Sequence, residues 1–141
     1  MKSLTDLQTT YTNAVTFTFG DGPELCHRLL SFVRAGKKTA TCGAAVDFDN
    51  GVEAMPVVGR CDIALEWDGT PALVIKTTKV TRVRYCDVTE AMALKEGEND
   101  SLAGWQRDHE DYFTRNGGFD PQMALIFEEF ELVEDLSPKR P

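Results

Sequence analysis

The sequence has few of the residues that build metal centres and familiar nucleophile sites. Its only histidines are His27 and His109, and its four cysteines form no Cys-x-x-Cys pair. These spacings fit no zinc motif, and no Ser-His-Asp arrangement suggests itself. We therefore predict no metal site and no cofactor, and we expect the cysteines to be reduced and buried.

Positive charge is also scarce. The chain has 15 Lys and Arg residues against 23 Asp and Glu residues, which gives a net charge of −8. Proteins bind a long phosphate backbone mostly through Lys and Arg, so an acidic surface disfavours long nucleic acids unless a local basic patch exists. A nucleoside or another small ligand fits this charge balance more easily.

Long apolar runs are missing as well. No stretch approaches the length of a membrane span, and residues 1–10 lack the apolar core of a signal peptide. We expect a cytoplasmic protein with no membrane partner. Hydrophobic residues nevertheless make up 42% of the 141 residues, which is enough to build one core.

The pattern of the chain predicts a flexible N-terminal arm (residues 1–13), one domain (14–134) and a C-terminal tail (135–141). The expected elements are strands at 15–19 and 123–133, an extended stretch at 41–48, a hairpin of 61–67 with 71–83, and helices at 23–35, at 87–95 and after Ser101. Helices and strands do not alternate regularly, so a doubly wound parallel sheet is unfavoured. The pattern fits an α+β fold with a small antiparallel sheet or a partly closed barrel, and with helices against its openings.

A short basic turn, residues 36–41, lies between the first predicted helix and an extended stretch. Lys38 and Thr41 are three residues apart, so their side chains can lie on one side of the turn. Burial disfavours a charged amine, and a neutral Lys38 could take a proton from Thr41 to make it a nucleophile. Glu96 or Glu98 in an acidic loop could then position the lysine. The alternative is that the turn is only a polar connector, with Lys38 favourably placed after a helix end.

The same turn resembles the end of a phosphate-binding loop, but the rest of the motif is absent. Such a loop requires a glycine five residues before the Gly-Lys pair, follows a strand and precedes a helix. Here that position is Ser31, and the predicted order is helix before strand. The sequence therefore excludes nucleotide hydrolysis of that kind.

Three further features have two interpretations each. Trp105 could stack on a nucleobase, or it could belong to a buried helix face. Arg82 and Arg84 could contact phosphates, or they could only keep a strand soluble. The acidic loop around Glu96 lacks the ligand pattern of a calcium-binding EF-hand, so it does not change the prediction of no metal.

Three motifs together resemble the ASCH domain family, a PUA-like fold associated with RNA. They are Phe19-Gly20 ahead of the first helix, the Gly-x-Lys-x-x-Thr of residues 36–41, and the Glu-Gly-Glu of residues 96–98 followed by Ser101, Leu102 and Trp105. The last motif is similar to that of the bacterial YhfF-like subfamily. The resemblance covers roughly residues 17–133. It implies a small, mostly antiparallel β-barrel flanked by helices, and a cleft that contains the Lys-Thr turn.

The resemblance also implies roles. One bacterial branch of the family is an amidohydrolase that removes the acetyl group from N4-acetylcytidine, and its lysine, threonine and glutamate correspond to Lys38, Thr41 and Glu96. We expect substrate contacts from the remaining candidates, which are Lys37, Thr39, Glu98, Trp105, Arg82 and Arg84. The expected partner is RNA or a modified nucleoside.

Two other activities stay open at this point. Another branch of the family is described as cleaving RNA, so a ribonuclease of single-stranded RNA using the same cleft is one alternative. A non-catalytic module that binds RNA or a modified nucleoside is the other. Many members carry an arginine two residues past the motif threonine, where this chain has Gly43.

Overall fold

A computed structural model describes residues 2–137, and its five strands form one sheet in the order β1-β3-β4-β5-β2. The strands are β1 (Thr16–Phe17), β2 (Ala40–Ala44), β3 (Cys61–Leu65), β4 (Pro71–Arg84) and β5 (Ala124–Asp135). The helices are α1 (Leu4–Thr10), α2 (Pro23–Arg34), α3 (Ala45–Asp49), α4 (Glu90–Lys95) and α5 (Leu102–Arg115), with a 3-10 turn at Tyr85–Asp87. All strand pairs are antiparallel except β1 with β3.

The α+β class is confirmed, but the sheet does not close into the predicted barrel. Within residues 2–137, β1 and β2 lie at its two edges and do not pair with each other. The centre is the long pair β4 and β5, and the predicted hairpin of β3 with β4 is confirmed with small shifts of its ends. This open sheet leaves space between its edges and the helices packed beside it.

The two long helices begin and end close to where the sequence predicts. Pro23 opens α2, where its missing N–H costs nothing, and Gly36 follows the helix end with a φ of +76° that favours glycine. Ser101 caps α5 by accepting a hydrogen bond from the backbone of Gly104. Each helix buries one apolar face, and each fully buried large side chain stabilises the fold by about 1.5–3 kcal/mol.

The two helices pack into separate clusters. Leu29, Leu30 and Val33 of α2 pack with Leu73 and Ile75 of β4. On α5 the buried side chains are Trp105 and Phe113, which pack with Tyr85, Val88 and Leu125. The end of α2 and the start of α5 are therefore fixed by different parts of the core, and the candidate site lies between them.

Four local predictions need correction. The arm predicted for residues 1–13 contains α1, which Ser3 caps and whose Leu7 is fully buried. The extended stretch predicted at 41–48 ends at Ala44 and continues as α3. Helix α4 begins after Thr89, whose hydroxyl accepts from Met92, and not after Asp87. The strand predicted at 15–19 is reduced to two residues.

The predicted tail is partly structured. Asp135 ends β5, and the backbone of Leu136 donates a hydrogen bond to the Ala72 carbonyl oxygen. The remaining predicted tail residues, 138–141, lie outside the described residues. None of the helices within residues 2–137 combines the length and the apolar character needed to cross a membrane.

Candidate active site

The basic turn is held at both ends by backbone hydrogen bonds. The amides of Lys37 and Lys38 both donate to the carbonyl oxygen of Phe32 in α2, at 2.9 and 3.1 Å. The amide of Thr39 donates to the carbonyl oxygen of Lys95 at the end of α4, at 2.8 Å. The turn therefore bridges two helix ends, which fixes the direction in which Lys38 points.

The acidic loop approaches this turn through a glycine. Gly97 has a φ of +75°, and a β-carbon there would overlap the carbonyl group of Lys37. Only glycine combines that backbone conformation with so close an approach. The Glu-Gly-Glu spacing of residues 96–98 thus sets two carboxylates on either side of the point of contact.

Lys38 lies between those two carboxylates. Its Nζ donates to Oε2 of Glu98 at 2.8 Å and to Oε1 of Glu96 at 3.4 Å. The lysine is 1% exposed and Glu96 equally so. Trp105 Nε1 donates to the other oxygen of Glu96 at 2.7 Å, and His109 Nε2 lies 3.5 Å from Oε1. We call Lys38, Glu96, Glu98, Trp105 and His109 the Lys38 cluster.

The charge on Lys38 differs from what the sequence predicts. Burial favours the neutral amine, but the opposite charges of Glu96 and Glu98 outweigh it and raise the pKa of Lys38 above its usual value. The expectation that burial gives a neutral lysine is therefore wrong, because it leaves out the second carboxylate. We therefore expect the resting side chain to be an ammonium group.

Glu96 and His109 support each other electrostatically. Burial alone would raise the pKa of Glu96, yet Lys38 and His109 lower it below its usual value. The ring of His109 stacks on Trp105 with centroids 4.2 Å apart, and its Nδ1 lies 2.9 Å from the Trp105 carbonyl oxygen. Because a carbonyl oxygen only accepts hydrogen bonds, Nδ1 carries a proton. The negative charge of Glu96 favours a second proton on Nε2. Accordingly burial lowers the pKa of His109 but Glu96 raises it overall.

A cavity of about 250 Å³ opens beside the cluster, and we call it the first cavity. Lys38, Thr41, Glu96 and Glu98 all line it, as does His109. The structure thus brings the three predicted catalytic residues to one place. No direct hydrogen bond joins Lys38 to Thr41 among the described residues, where Lys38 Nζ donates to Glu96 and Glu98. Arg28 and Arg115 also line it, as do Asp108 and Asp111, and Arg115 is paired with Asp21 outside the lining.

Three side chains here are of types that bind metals. Donor atoms of Cys42, Glu96 and His109 lie within 4.8 Å of one another. The prediction of no metal rests on spacing along the chain and does not foresee this convergence. Both oxygens of Glu96 already accept hydrogen bonds, from Lys38 and from Trp105, so an ion would compete with the ammonium group. Burial raises the pKa of the Cys42 thiol well above its usual value, which also disfavours the thiolate that a metal requires.

The residues predicted to bind substrate are mostly elsewhere. Trp105 is fully buried behind Glu96. Arg82 pairs with Asp49, and Arg84 donates to Gln122. Lys37 lies over the Phe32 ring, and the hydroxyl of Thr39 donates to a backbone carbonyl. Among these candidates only Glu98 lines the first cavity.

A second cavity of about 410 Å³ adjoins the first, and the two share Gly20, Thr41, Cys42 and Tyr112 in their linings. Phe48 forms part of its wall and packs directly over Gly43, where a β-carbon would collide with the ring. Gly43 thus makes room for an aromatic side chain. The sequence does not reveal this, because Phe48 comes from α3, which the pattern predicts as strand.

Glu128 is another residue of the site that sequence reasoning misses. It lines the second cavity, and in the sheet it lies directly opposite Thr41, with β2 and β5 paired at that position. Side chains so paired share one face of the sheet, with β-carbons about 4.5–5.5 Å apart. In the sequence it is one of several alternating acids on the last strand, so no local signal distinguishes it.

Comparisons with known proteins agree with this architecture. The chain is similar to the crystal structure of an ASCH domain from Lactobacillus crispatus JV V101, with 30% identity, a TM-score of 0.80, and coverage of 92% of this chain and 85% of that chain. It is equally similar to a protein from Enterococcus faecalis V583, with 30% identity, a TM-score of 0.79, and coverage of 93% and 85%. A comparison with curated proteins found no match.

A more distant likeness shows the fold alone. A mutant ASCH protein from Zymomonas mobilis shares 9% identity with a TM-score of 0.52, over 84% of this chain and 67% of that one. The model of the ASCH domain matches residues 15–134, which include the basic turn, the acidic loop and every strand but the last residue of β5. The chain therefore belongs to the ASCH domain family.

Proposed function

We propose that this ASCH domain protein is an amidohydrolase that acts on a nucleoside with an acylated amino group, of the N4-acylcytidine type. One observation carries the proposal: Lys38, Thr41 and Glu96 line one cavity, with Lys38 held by two carboxylates. The family is linked to RNA binding, which favours a nucleoside substrate over other amides. The YhfF-like placement remains a prediction.

Thr41 is the nucleophile in this proposal. Its Oγ1 attacks the amide carbonyl, a bond forms between Oγ1 and the carbonyl carbon, and the C–N bond breaks. The product of this step is an acyl ester on Thr41 and a free amino group on the base. Water then attacks the ester and releases the carboxylic acid, which restores the Thr41 hydroxyl.

Lys38 moves the proton and stabilises the developing charge. Because its ammonium form is favoured, it does not start as a free base. It gives one proton to the leaving nitrogen and takes one from the Thr41 hydroxyl, so it carries one positive charge before and after the step. A fixed ammonium group near the carbonyl oxygen also stabilises the oxyanion of the transition state. Glu96 and Glu98 hold Lys38 in place during the exchange.

The test is hydrolysis of N4-acetylcytidine by the purified protein, with cytidine and acetate as the measured products. We expect turnover by the wild type, its loss in Thr41→Val, which keeps the shape of the side chain, and its partial return in Thr41→Ser. Lys38→Ala should also be inactive, and circular dichroism checks that each variant is folded. Equal rates in the wild type and Thr41→Val would refute the mechanism.

A second substrate class is measured in the same experiment. Single-stranded RNA tests the ribonuclease alternative. Three basic residues line the first cavity, but four acidic residues line it as well, so its charge does not favour a phosphate backbone. With a net charge of −8, we expect weak binding of long RNA that falls further with salt. RNA cleavage that disappears in Lys38→Ala, without deacetylation, would replace the amidohydrolase by a ribonuclease.

A further inference from the structure

The second cavity is built for a flat ligand that donates hydrogen bonds. Its lining includes the aromatic side chains of Phe17, Phe48 and Tyr112, a residue type that stacks on flat ligands. Its volume of about 410 Å³ lies in the range of small-molecule sites. Because Phe48 sits tightly on Gly43, this aromatic wall is fixed by the backbone.

The charges in this cavity all have one sign. Four acidic residues line it, Asp47, Glu53, Asp62 and Glu128, and none of the lining residues within the described part of the chain is basic. Asp62 is already satisfied, since Arg60 pairs with it at 2.7 Å and the backbone of Val15 also donates to it. An acidic, aromatic cavity disfavours phosphate and favours groups that donate hydrogen bonds.

One carboxyl oxygen of Glu128 is available to a ligand. Its Oε2 accepts the Thr77 hydroxyl at 2.6 Å, whereas Oε1 takes part in none of the hydrogen bonds between described residues. Burial raises the pKa of Glu128 above its usual value, although the hydrogen bond from Thr77 opposes this in part, in keeping with an enclosed carboxyl group. The carboxyl group is therefore anchored at one oxygen and open at the other.

We propose that the second cavity is a nucleobase subsite in which Glu128 Oε1 accepts a hydrogen bond from an exocyclic amino group. Glu128 is paired directly with Thr41 across β2 and β5, so a base held there places its amino nitrogen beside the Thr41 hydroxyl. In cytidine the ribose is attached to N1, which lies across the ring from the carbon that carries the amino group, so the ribose extends away from Thr41. This inference rests on the proposed nucleoside substrate and adds its specificity: cytosine is preferred over uracil, which has a carbonyl oxygen at the same position.

The test is calorimetric titration of cytidine and uridine, which requires no turnover. We expect the wild type to bind cytidine in preference to uridine. Glu128→Gln keeps the bond to Thr77 and the volume but loses the carboxylate, so cytidine binding should weaken by about tenfold and the preference should shrink, as expected for a hydrogen bond to a charged group. The matched control is Glu129→Gln, since Glu129 pairs with Lys95 outside the cavity.

A second variant keeps the test valid if Glu128→Gln is unstable. Phe48→Leu retains an apolar wall but removes the stacking surface, and it should weaken both nucleosides alike while leaving the preference for cytidine. The inference is overturned if the wild type binds neither nucleoside, binds both equally, or keeps its preference in Glu128→Gln. Selective cytidine binding without deacetylation would refute the proposed reaction and leave the subsite standing.

Discussion

Basic side chains meet carboxylates in two very different surroundings in this molecule. Lys38 is 1% exposed and lies between Glu96 and Glu98, whereas the pair of Arg82 with Asp49 is about half exposed on both sides. The distances are similar, 2.8 Å from Lys38 to Glu98 and 2.7 Å from Arg82 to Asp49. The two ion pairs therefore differ in burial and not in distance. A charge enclosed by the core depends on its partners, while water can replace a partner at the surface.

The largest effect expected from this comparison is that of Lys38→Met. It leaves two carboxylates facing an apolar side chain in the core, so the free energy of unfolding should fall by about 3–5 kcal/mol. Chemical denaturation at neutral pH measures it. Lys95→Met is the matched control, because Lys95 pairs with Glu129 at the surface and should lose no more than about 1 kcal/mol. If the two variants lost the same free energy of unfolding, burial would not explain the difference between the two ion pairs.

Gly97→Ala tests the contact that joins the acidic loop to the basic turn. A β-carbon there overlaps the Lys37 carbonyl group, so the variant should lose about 1–3 kcal/mol from overpacking beyond the cost of its backbone conformation. Gly36→Ala isolates that conformational cost, since its φ of +76° nearly equals the +75° of Gly97 and nothing lies within 4 Å of its β-carbon. If the two variants unfold at the same denaturant concentration, the close approach of Gly97 to the Lys37 carbonyl group does not add to the cost of the substitution.

His109→Gln should lower stability by a smaller, pH-dependent amount. The pKa of His109 is raised in the folded protein, so its contribution is complete below about pH 6.5 and disappears as the pH rises through the folded-state pKa. We expect a loss of about 1 kcal/mol at pH 6 that shrinks toward pH 9. Denaturation of both proteins at the two pH values measures it, with the exposed His27→Gln as control. A loss that grows with pH would mean that the neutral imidazole is the stabilising form.

Arg82→Ala should have the smallest effect. Its partner Asp49 is about half exposed, so water replaces the lost contact and the melting temperature should stay within about 2 °C of the wild type. The deacetylation rate should not change either, because Arg82 lies outside the linings of both cavities. A substrate-binding role for Arg82 requires the opposite, a raised KM in this variant.

The sequence predicts some parts of this site well because the signals are local. Pro23, Gly36 and Ser101 mark helix ends through backbone conformation and capping, and the structure places them as expected. The lysine, threonine and glutamate of the proposed mechanism follow from the motif spacing that the resemblance supplies. Their convergence in one cavity could be expected, although only the structure gives its distances.

Other parts could not be predicted because they depend on long-range pairing. The charge of Lys38 depends on two carboxylates about sixty residues away, so burial alone gives the wrong direction. Glu128 gains its position from the register of β2 with β5. The position of Trp105 along its helix fits both a residue that stacks on a base and a core residue. Only the tertiary structure shows that it is packed in the core. The barrel is an expectation from the fold family, and the structure has an open sheet instead, since its edge strands β1 and β2 do not pair within residues 2–137.

The most direct test of the account is the titration of Lys38 itself. Carbon-13 labelling of the lysine side chains, with the Lys38 signal assigned from Lys38→Arg, lets NMR follow its protonation as the pH rises. We predict that Lys38 keeps its proton beyond pH 10.5, the ordinary value for lysine, and that Glu98→Gln lowers its pKa. A midpoint well below 10.5 in the wild type would contradict the account and return Lys38 to the role of a neutral base.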